Sequence, residues 1–488
     1  MTELRPHPMP VPLADVCRVL GLPPVAGIVT GVSLDTQLVR PGDLFAALPG
    51  ARTHGARFAD AALRAGAVAV LTDAVGAAII GDRHIPVLVV EDPRAHLGDV
   101  ALAVYPGRRP RLIGVTGTNG KTTTTHSIAA AAAAAGVPTA VVGTLGVHFG
   151  ALSSYSGRTT PEATSLHASL AACAEAGAAA AAMEVSSHAL ALHRVDGLTF
   201  DVAAFLNLTQ DHLDFHGTMD AYFAAKATLF EPGRSRHAVV CIDDAWGSRL
   251  AAESAIPVTT VGPGGDWEAE EVRVLGGGGT SFVARGPRGR TEVTMPLPGG
   301  FNVTNALVAL ACVEALGHPA AAAARGIAGV SVPGRFERVA NDRGIAAFVD
   351  YAHTPDAVER VLRVAREATP GRLIAVLGCG GDRDAAKRPH MAAAAAALAD
   401  AVIVTDDNPR SEDPASIRRA MLDGVRGADH VREEGDRAQA IAEAVALAGA
   451  GDCVMVLGKG HETGQEIAGV VHPFDDREAL RRALGVTA

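Results

Sequence analysis

The stretch that most constrains this chain runs Gly114-Val-Thr-Gly-Thr-Asn-Gly-Lys-Thr-Thr-Thr124. It follows an apolar segment at 112–115 and opens an Ala-rich run, Ile128 to Ala135, that reads as a helix. Strand, glycine-rich turn and helix in succession form a cradle for nucleotide phosphates. Small residues let backbone N–H groups close around the oxygens, and the helix N-terminus adds positive potential. In such a loop Gly117, Thr118, Asn119, Gly120, Lys121, Thr122 and Thr123 bind ATP. Lys121 reaches the β/γ-phosphates and the Thr122 hydroxyl is a Mg²⁺ ligand. The ordinary pattern needs a Gly where this chain has Val115. The compact Gly-Thr-Asn-Gly-Lys-Thr form points away from generic ATPases and toward amide-bond-forming ligases.

A chain of 488 residues is too long for one hydrophobic core, which predicts about three domains. Apolar residues make up 48% but aromatic ones only 4%, so the cores are built from Ala, Val and Leu. A formal charge of −10 argues against nucleic-acid binding, which needs basic stripes. The cysteines at 17, 173, 241, 312, 379 and 453 are scattered without a Cys-x-x-Cys pair, so reduced thiols are expected and a zinc site is not. Residues 1–12 lack a basic segment followed by an apolar core, and the Ala-rich run at 127–146 is broken by Pro138 and several Gly. A cytoplasmic protein with no membrane insertion is expected.

Short β-type runs at 68–71 and 87–90 lie before a linker-like Tyr105-Pro-Gly-Arg-Arg-Pro110. Apolar runs at 112–115, 139–142, 179–183, 202–206 and 238–242 then alternate with helical stretches, which predicts a doubly wound, mostly parallel sheet. Ser331-Val-Pro-Gly334 reads as a hinge, and runs at 346–349, 373–377, 401–404 and 453–457 predict a second such sheet. Ligands of these folds bind beyond the carboxyl ends of the strands.

Each run ends in polar residues. Glu184 closes one beside the phosphate loop, where a carboxylate can hold Mg²⁺. The next leads to Asn207-Leu-Thr-Gln-Asp-His-Leu-Asp-Phe-His-Gly217. A lone histidine there would be structural, but the dense Asp/His run makes His212 a candidate metal ligand. Lys226, on the helical stretch that follows, reads by itself as a solvated helix lysine. Asn302 either reads an adenine edge or caps a helix. Arg335, Asp350 and His353 flank the start of the last domain and can touch phosphates, although Arg and His are ordinary surface types. Gly378-Cys-Gly-Gly-Asp-Arg-Asp384, Asp406-Asp-Asn-Pro-Arg410 and Gly458-Lys-Gly-His-Glu462 cap three strands there, a set rich in Gly, Asp and Arg that suits a zwitterion.

In chain order, G-T-N-G-K-T, E-V-S-S-H, D-H-L-D-F-H-G with the helix lysine, Y-A-H-T-P-D, G-D-R-D-x-x-K-R-P, D-N-P-R and G-K-G-H-E resemble the motif set of the Mur ligases. The resemblance covers essentially the whole chain. It implies an α/β protein of three domains: a smaller N-terminal uridine-nucleotide domain (1–107), a central ATP-binding domain with a P-loop and a doubly wound sheet (108–333), and a C-terminal Rossmann-like amino-acid domain (334–488). It implies that Lys226 is carbamylated by CO₂ and joins Thr122, Glu184 and His212 around Mg²⁺, with two ions expected. Lys121, Glu184, His212 and Lys226 are then the catalytic set. It further places Thr159, Thr160, Ser186 and Arg194 on the peptide of a UDP-sugar substrate, and Leu34, Thr36, Ala51, Arg52 and Thr53 at its nucleotide end.

In that family D-N-P-R marks members that add meso-2,6-diaminopimelate to UDP-N-acetylmuramoyl-L-alanyl-D-glutamate through an acyl phosphate, during peptidoglycan precursor synthesis. The resemblance therefore gives Arg383, Asp407, Asn408, Pro409, Arg410, Gly458 and Glu462 as amino-acid contacts; a monomer is expected. An arginine can pair with the second carboxylate of diaminopimelate, which lysine lacks. Closure of the last domain is expected to bring Arg335, Asp350 and His353 onto ATP. Two departures bear on nucleotide-substrate contacts: Asp35-Thr36-Gln37 stands for the usual Asp-Ser-Arg, and Leu192 for a common Gln. The rivals are a lysine-adding member, a folylpolyglutamate-synthetase-like ligase and an inactive nucleotide-binding scaffold.

Overall fold

The computed structural model describes residues 3–50, 52–82, 84–275 and 279–486. The chain divides into two compact units. One holds the chain up to Glu271 with Phe282–Val293 and Val303–Gly329; the other holds Val272–Ser281, Thr294–Asn302 and the chain from Val330.

Two sheets of the first unit, one of four strands and one of eight, position the site. Near the N-terminus, Gly31–Ser33, Asp43–Ala46, Ala69–Thr72 and Val87–Val89 lie side by side, all parallel and in chain order. The helix Leu97–Val104 buries Leu97, Val100, Ala101 and Val104 in the core over this sheet. Ala163, Ala168 and Ala171 of the helix Ala163–Glu175 join the same core, so these two sheets share packing.

The larger sheet has eight strands in the spatial order Leu152–Ser154, Gly146–Phe149, Thr139–Gly143, Ala180–Glu184, Arg111–Thr116, Val202–Phe205, Ala238–Cys241 and Val258–Val261. The first two pairings in this order are antiparallel and the remaining five are parallel. Helices cover both faces of such a sheet, so the inner strands are buried throughout and read as continuous apolar runs. The chain leaves Arg111–Thr116 toward one side, returns beside it as Ala180–Glu184, and then crosses to its other side as Val202–Phe205. That reversal opens a crevice at the carboxyl end of Arg111–Thr116, where the phosphate loop begins.

The second unit has a six-stranded sheet in the order Glu337–Arg338, Ala346–Asp350, Cys453–Leu457, Leu373–Leu377, Ala401–Val404 and Val431–Glu433. Only the first pair is antiparallel. The helices Arg437–Leu447 and Asp476–Leu484 pack on it, tied by Arg437 and Asp476, both fully buried. All six cysteines are free and buried. No helix among the described residues is long and apolar enough to cross a membrane.

Candidate active site

After Arg111–Thr116, Gly120 adopts a left-handed conformation (φ 87°) and turns the chain into the helix Lys121–Ala134. A Cβ there would lie 2.7 Å from Asn305 Oδ1, so both backbone and neighbour require glycine. The end of the adjacent strand fastens the loop. Thr118 N donates to Asn207 O at 3.0 Å, Asn119 N to Asn207 Oδ1 at 2.9 Å, and Thr209 N to Thr118 Oγ1 at 3.0 Å. Lys121 Nζ donates to the carbonyls of Gly117 and Thr118 at 3.0 and 2.9 Å. Thr122 and Thr123 are buried in the first turn.

Glu184 pairs in register with Val115 of the central strand and is 2% exposed. Its carboxylate accepts from Thr144 N at 2.8 Å and Thr144 Oγ1 at 3.2 Å. Thr160 Oγ1 donates to Glu184 O at 2.9 Å and accepts from Ser186 N at 3.1 Å. Arg194 Nη1 donates to Thr160 O at 3.3 Å, and Thr159 joins through Thr144 Oγ1 at 3.2 Å. Thr159, Thr160, Ser186 and Arg194 thus form one connected group beside Glu184. Arg94, Arg158 and Arg194 all pair with Glu162, at 3.1, 3.7 and 3.1 Å. Three guanidinium groups on one carboxylate leave net positive charge, which suits an anionic ligand.

The structure overturns the reading of Lys226 as a solvated lysine: it is 1% exposed on the helix Met219–Ala227. Its Nζ donates to Gly117 O at 2.9 Å and lies 4.6 Å from the centre of the Tyr222 ring. Burial, and then the charge of Lys121, push its pKa well below the ordinary lysine value. The amine is therefore biased toward its neutral, nucleophilic form. His212 takes a left-handed backbone (φ 55°), with its ring edge-on to His188 at 4.7 Å. Burial lowers its pKa, against the opposing pull of Asp211, so its imidazole is held neutral as a ligand must be.

In the N-terminal sheet, Leu34 and Thr36 follow the carboxyl end of Gly31–Ser33, and Arg52 and Thr53 follow that of the neighbouring Asp43–Ala46. Both segments lie beyond strand ends of one parallel sheet. Arg52 and Thr53 are exposed. Ala51 lies outside the described residues.

In the second unit, Asp350 ends Ala346–Asp350 and accepts from Phe336 N at 2.7 Å and Ala352 N at 2.8 Å. Burial raises its pKa, while Arg335 and the two N–H groups oppose the rise. Arg335 lies 4.3 Å over the Tyr351 ring, and exposed His353 meets the same ring edge-on at 4.6 Å. Asn302, expected to read adenine or cap a helix, lies within Gly300–Ala315 and donates Nδ2–H to Pro298 O at 2.8 Å.

The loops after Leu373–Leu377, Ala401–Val404 and Cys453–Leu457 converge. Asn408 Nδ2 donates to Glu462 Oε2 at 2.7 Å, and Gly458 N donates to Asp350 O at 3.1 Å. Asp407 is buried, and Pro409 carries the turn into Arg410. Arg410 takes a left-handed backbone (φ 54°), and its main chain pairs with the hairpin Gly464–Ile467/Val470–Pro473 through Glu466 O and Ala468 N. Its guanidinium donates to Gly381 O at 2.7 Å and lies 3.6 Å from Glu466 Oε2. Arg383 is exposed and stands apart from these bonds.

Family profiles match along the chain: the catalytic domain of the Mur ligase family over residues 28–105, the Mur ligase middle domain over 115–313, and the Mur ligase glutamate ligase domain over 334–460. The chain is 50% identical to the UDP-N-acetylmuramoyl-L-alanyl-D-glutamate–2,6-diaminopimelate ligase of Streptomyces coelicolor, over 98% of this chain and 97% of that one. It is 48% identical to the ligase of the same name from Corynebacterium efficiens, over 98% and 95%. A solved structure of a ligase of that name is 35% identical, with a TM-score of 0.68 over 98% of this chain and 99% of that chain. This chain is a Mur ligase.

Several residues of this Mur ligase that shape the site were not singled out from sequence. Thr144 holds Glu184 across 40 positions, and Tyr222 Oη meets Thr118 Oγ1 at 3.2 Å. Lys459 lies wholly buried between the loops that carry Asn408 and Glu462. A Lys inside Gly-Lys-Gly after a buried strand was the available signal for Lys459; Thr144 and Tyr222 carried none. For Mg²⁺, Thr122 and Glu184 offer the hard hydroxyl and carboxylate oxygens that the ion prefers. Lys226 as a free amine is no such donor and becomes one only as a carbamate. Among the described residues no three His, Cys, Asp or Glu side chains gather as a metal-binding group; the expected set has only Glu184 and His212 of those types.

Proposed function

We propose that this Mur ligase adds meso-2,6-diaminopimelate to UDP-N-acetylmuramoyl-L-alanyl-D-glutamate at the expense of ATP. The observation that carries the reading is the pairing of Asn408 with Glu462 beside Arg410, whose guanidinium is fixed by Gly381 and Glu466. A carboxylate acceptor and amide and guanidinium donors together match an ammonium–carboxylate centre. Diaminopimelate has two such centres and lysine one. The names carried by relatives near 50% identity agree with this choice.

The glutamyl side-chain carboxylate attacks the γ-phosphorus, ADP leaves, and an acyl phosphate forms. The diaminopimelate amine attacks that carbonyl, loses a proton, and inorganic phosphate departs as the peptide bond closes. Oxide is a poor leaving group, so the free carboxylate needs this activation. The chain contributes position and charge. Gly117–Thr123 cradles the phosphates, and Lys121 neutralises them. Arg335, Asp350, His353 and Asn302 serve the nucleotide. Thr159, Thr160, Ser186 and Arg194 hold the substrate peptide. Leu34, Thr36 and residues 51–53 serve its uridine end. Thr122 and Glu184 would hold one Mg²⁺, and His212 with carbamylated Lys226 a second; the ions would supply charge neutralisation. Lys226, buried as a neutral amine, is suited to take up CO₂. The enzyme is assigned as a monomer working in the cytoplasm, on nucleotide-linked substrates.

The test is phosphate release with ATP, Mg²⁺ and the UDP-muramoyl dipeptide, comparing meso-diaminopimelate with L-lysine. Release with diaminopimelate alone, with the tripeptide mass, supports the proposal. A preference for lysine keeps the ligase and overturns the reading of Arg410.

A further inference from the structure

Lys459 is a lysine with no exposed surface, lying between the loops that carry Asn408 and Glu462. Its Nζ donates to Asn408 Oδ1 at 3.1 Å, Glu462 Oε2 at 3.3 Å and Gly464 O at 2.6 Å. An ammonium has three N–H bonds, and all three are used. Asn408 Oδ1 also accepts from Glu466 N at 3.0 Å, so both of its lone pairs are engaged. The amide can therefore stand only one way round, with Nδ2 toward Glu462, where it donates at 2.7 Å. One N–H of Asn408 and the second oxygen of Glu462 are left over. They form a donor next to an acceptor, the complement of an ammonium–carboxylate pair.

We infer that Lys459 is the positioning residue of the amino-acid site: its buried ammonium fixes the amide of Asn408 and the carboxylate of Glu462 in the orientation that reads diaminopimelate. The inference rests on the proposed function, in which Asn408 and Glu462 contact the incoming amino acid. Lys459 itself has no N–H to spare for ligand. Without it, Asn408 Oδ1 keeps only Glu466 N as a donor and the Asn408–Glu462 pair is held less firmly, while Glu462 loses one of its two donors. The loss falls on amino-acid binding rather than on ATP, whose phosphate loop is in the other unit.

Steady-state kinetics of Lys459→Met, Lys459→Gln and Asn408→Ala test this. Losing hydrogen bonds to a charged group raises the diaminopimelate KM of Lys459→Met by about 10- to 100-fold. The KM values for ATP and the UDP-muramoyl dipeptide stay within about 3-fold, which corresponds to a free-energy change below the size of one such bond. Lys459→Gln retains a donor for Asn408 Oδ1 and recovers part of the loss, whereas simple loss of packing would leave both variants alike. Adding Lys459→Met to Asn408→Ala costs little more, because both act through one network. If Asn408→Ala leaves the diaminopimelate KM unchanged, the functional reading of the site fails. If Asn408→Ala raises it but Lys459→Met does not, or if all three KM values rise together, the positioning role alone is overturned. Should Lys459→Met not fold, as judged by ADP binding, the same comparison is made with Lys459→Gln, and a diaminopimelate KM equal to that of the unaltered enzyme overturns the inference.

Discussion

Lys121 Nζ and Lys226 Nζ donate to the same acceptor, the carbonyl oxygen of Gly117, at 3.0 and 2.9 Å. Two ammonium groups on one carbonyl repel, and the buried one yields. Lys226 has no contact with water and its pKa falls, whereas Lys121 sits at the start of the loop helix. The two lysines therefore differ: Lys121 stands at the first turn of the phosphate-loop helix, and the Lys226 amine is biased toward its neutral form.

That difference predicts distinct consequences for two similar variants. Lys121→Met and Lys226→Met each lower kcat by about 10²-fold or more, the usual cost of removing one group that stabilises developing charge. Lys226→Met also removes a buried amine that is costly to charge, so its melting temperature does not fall. Calorimetry alongside kinetics checks this; a marked drop in melting temperature for Lys226→Met would show the amine to be structural.

Gly143 ends the strand Thr139–Gly143, and a Cβ placed on it would come within 2.2 Å of Glu184 Oε1. Gly143→Ala therefore displaces the carboxylate or its Thr144 partner. Overpacking of this kind costs about 1–3 kcal/mol in stability. The Mg²⁺ concentration for half-maximal rate should rise as well. An unchanged Mg²⁺ requirement in a destabilised variant would separate Glu184 from the metal.

Much of this was legible because buried parallel strands have no alternation to misread. The apolar runs at 373–377, 401–404 and 453–457 coincide with strands, and the run at 112–115 falls inside Arg111–Thr116. Polar residues closing those runs marked the site, since the ends of such strands face the ligand crevice. What remained hidden depends on meetings between distant segments. The burial of Lys226 follows from where its helix packs against the phosphate loop, 109 positions away at Gly117. The same holds for Thr144 under Glu184. Of the three arginines on Glu162, Arg158 is a local neighbour four positions away, but Arg94 and Arg194 come from distant segments with no local pattern to announce them.

Arg410 is held at a left-handed turn with one edge of its guanidinium on Gly381 O. Lysine cannot reproduce a planar, two-pronged donor. Arg410→Lys is expected to raise the diaminopimelate KM by about 10²-fold and to narrow the preference over L-lysine, since sites built on a buried polar partner owe their discrimination to it. Competition between the two amino acids measures the ratio directly. An unaltered ratio would move specificity away from this residue.

His461 follows the Gly-Lys-Gly segment, and burial, with the charges of Arg335 and Arg477, lowers its pKa from 6.5 to about 4. Between these values the unfolded chain binds a proton that the folded one refuses. Stability from this group is therefore present above pH 6.5 and is lost as the pH falls toward 4, by about 3 kcal/mol in all. His461→Leu should flatten the pH dependence of the urea midpoint between pH 4.5 and 7 relative to the unaltered chain. Parallel curves would mean that the folded protein accommodates the charged imidazole.

Arg437 and Asp476 make a bidentate pair, both bonds 2.7 Å, with no exposed surface on either side chain. Arg437 also donates to Leu457 O at 2.9 Å and Asp406 O at 3.3 Å. Those carbonyls stand immediately before Gly458-Lys459 and Asp407-Asn408, so the pair braces the two loops that are proposed to hold the amino acid. Asp476→Ala strands a buried guanidinium and should cost about 3–5 kcal/mol, whereas the double variant Arg437→Met/Asp476→Leu, which leaves no charge behind, should cost far less. The double variant removes the brace while sparing most of the stability. Its diaminopimelate KM should therefore rise while its ATP KM holds. Were both constants unchanged in a double variant of near-normal stability, the strand ends would be rigid without Arg437, and the pair would serve only to dock the C-terminal helix.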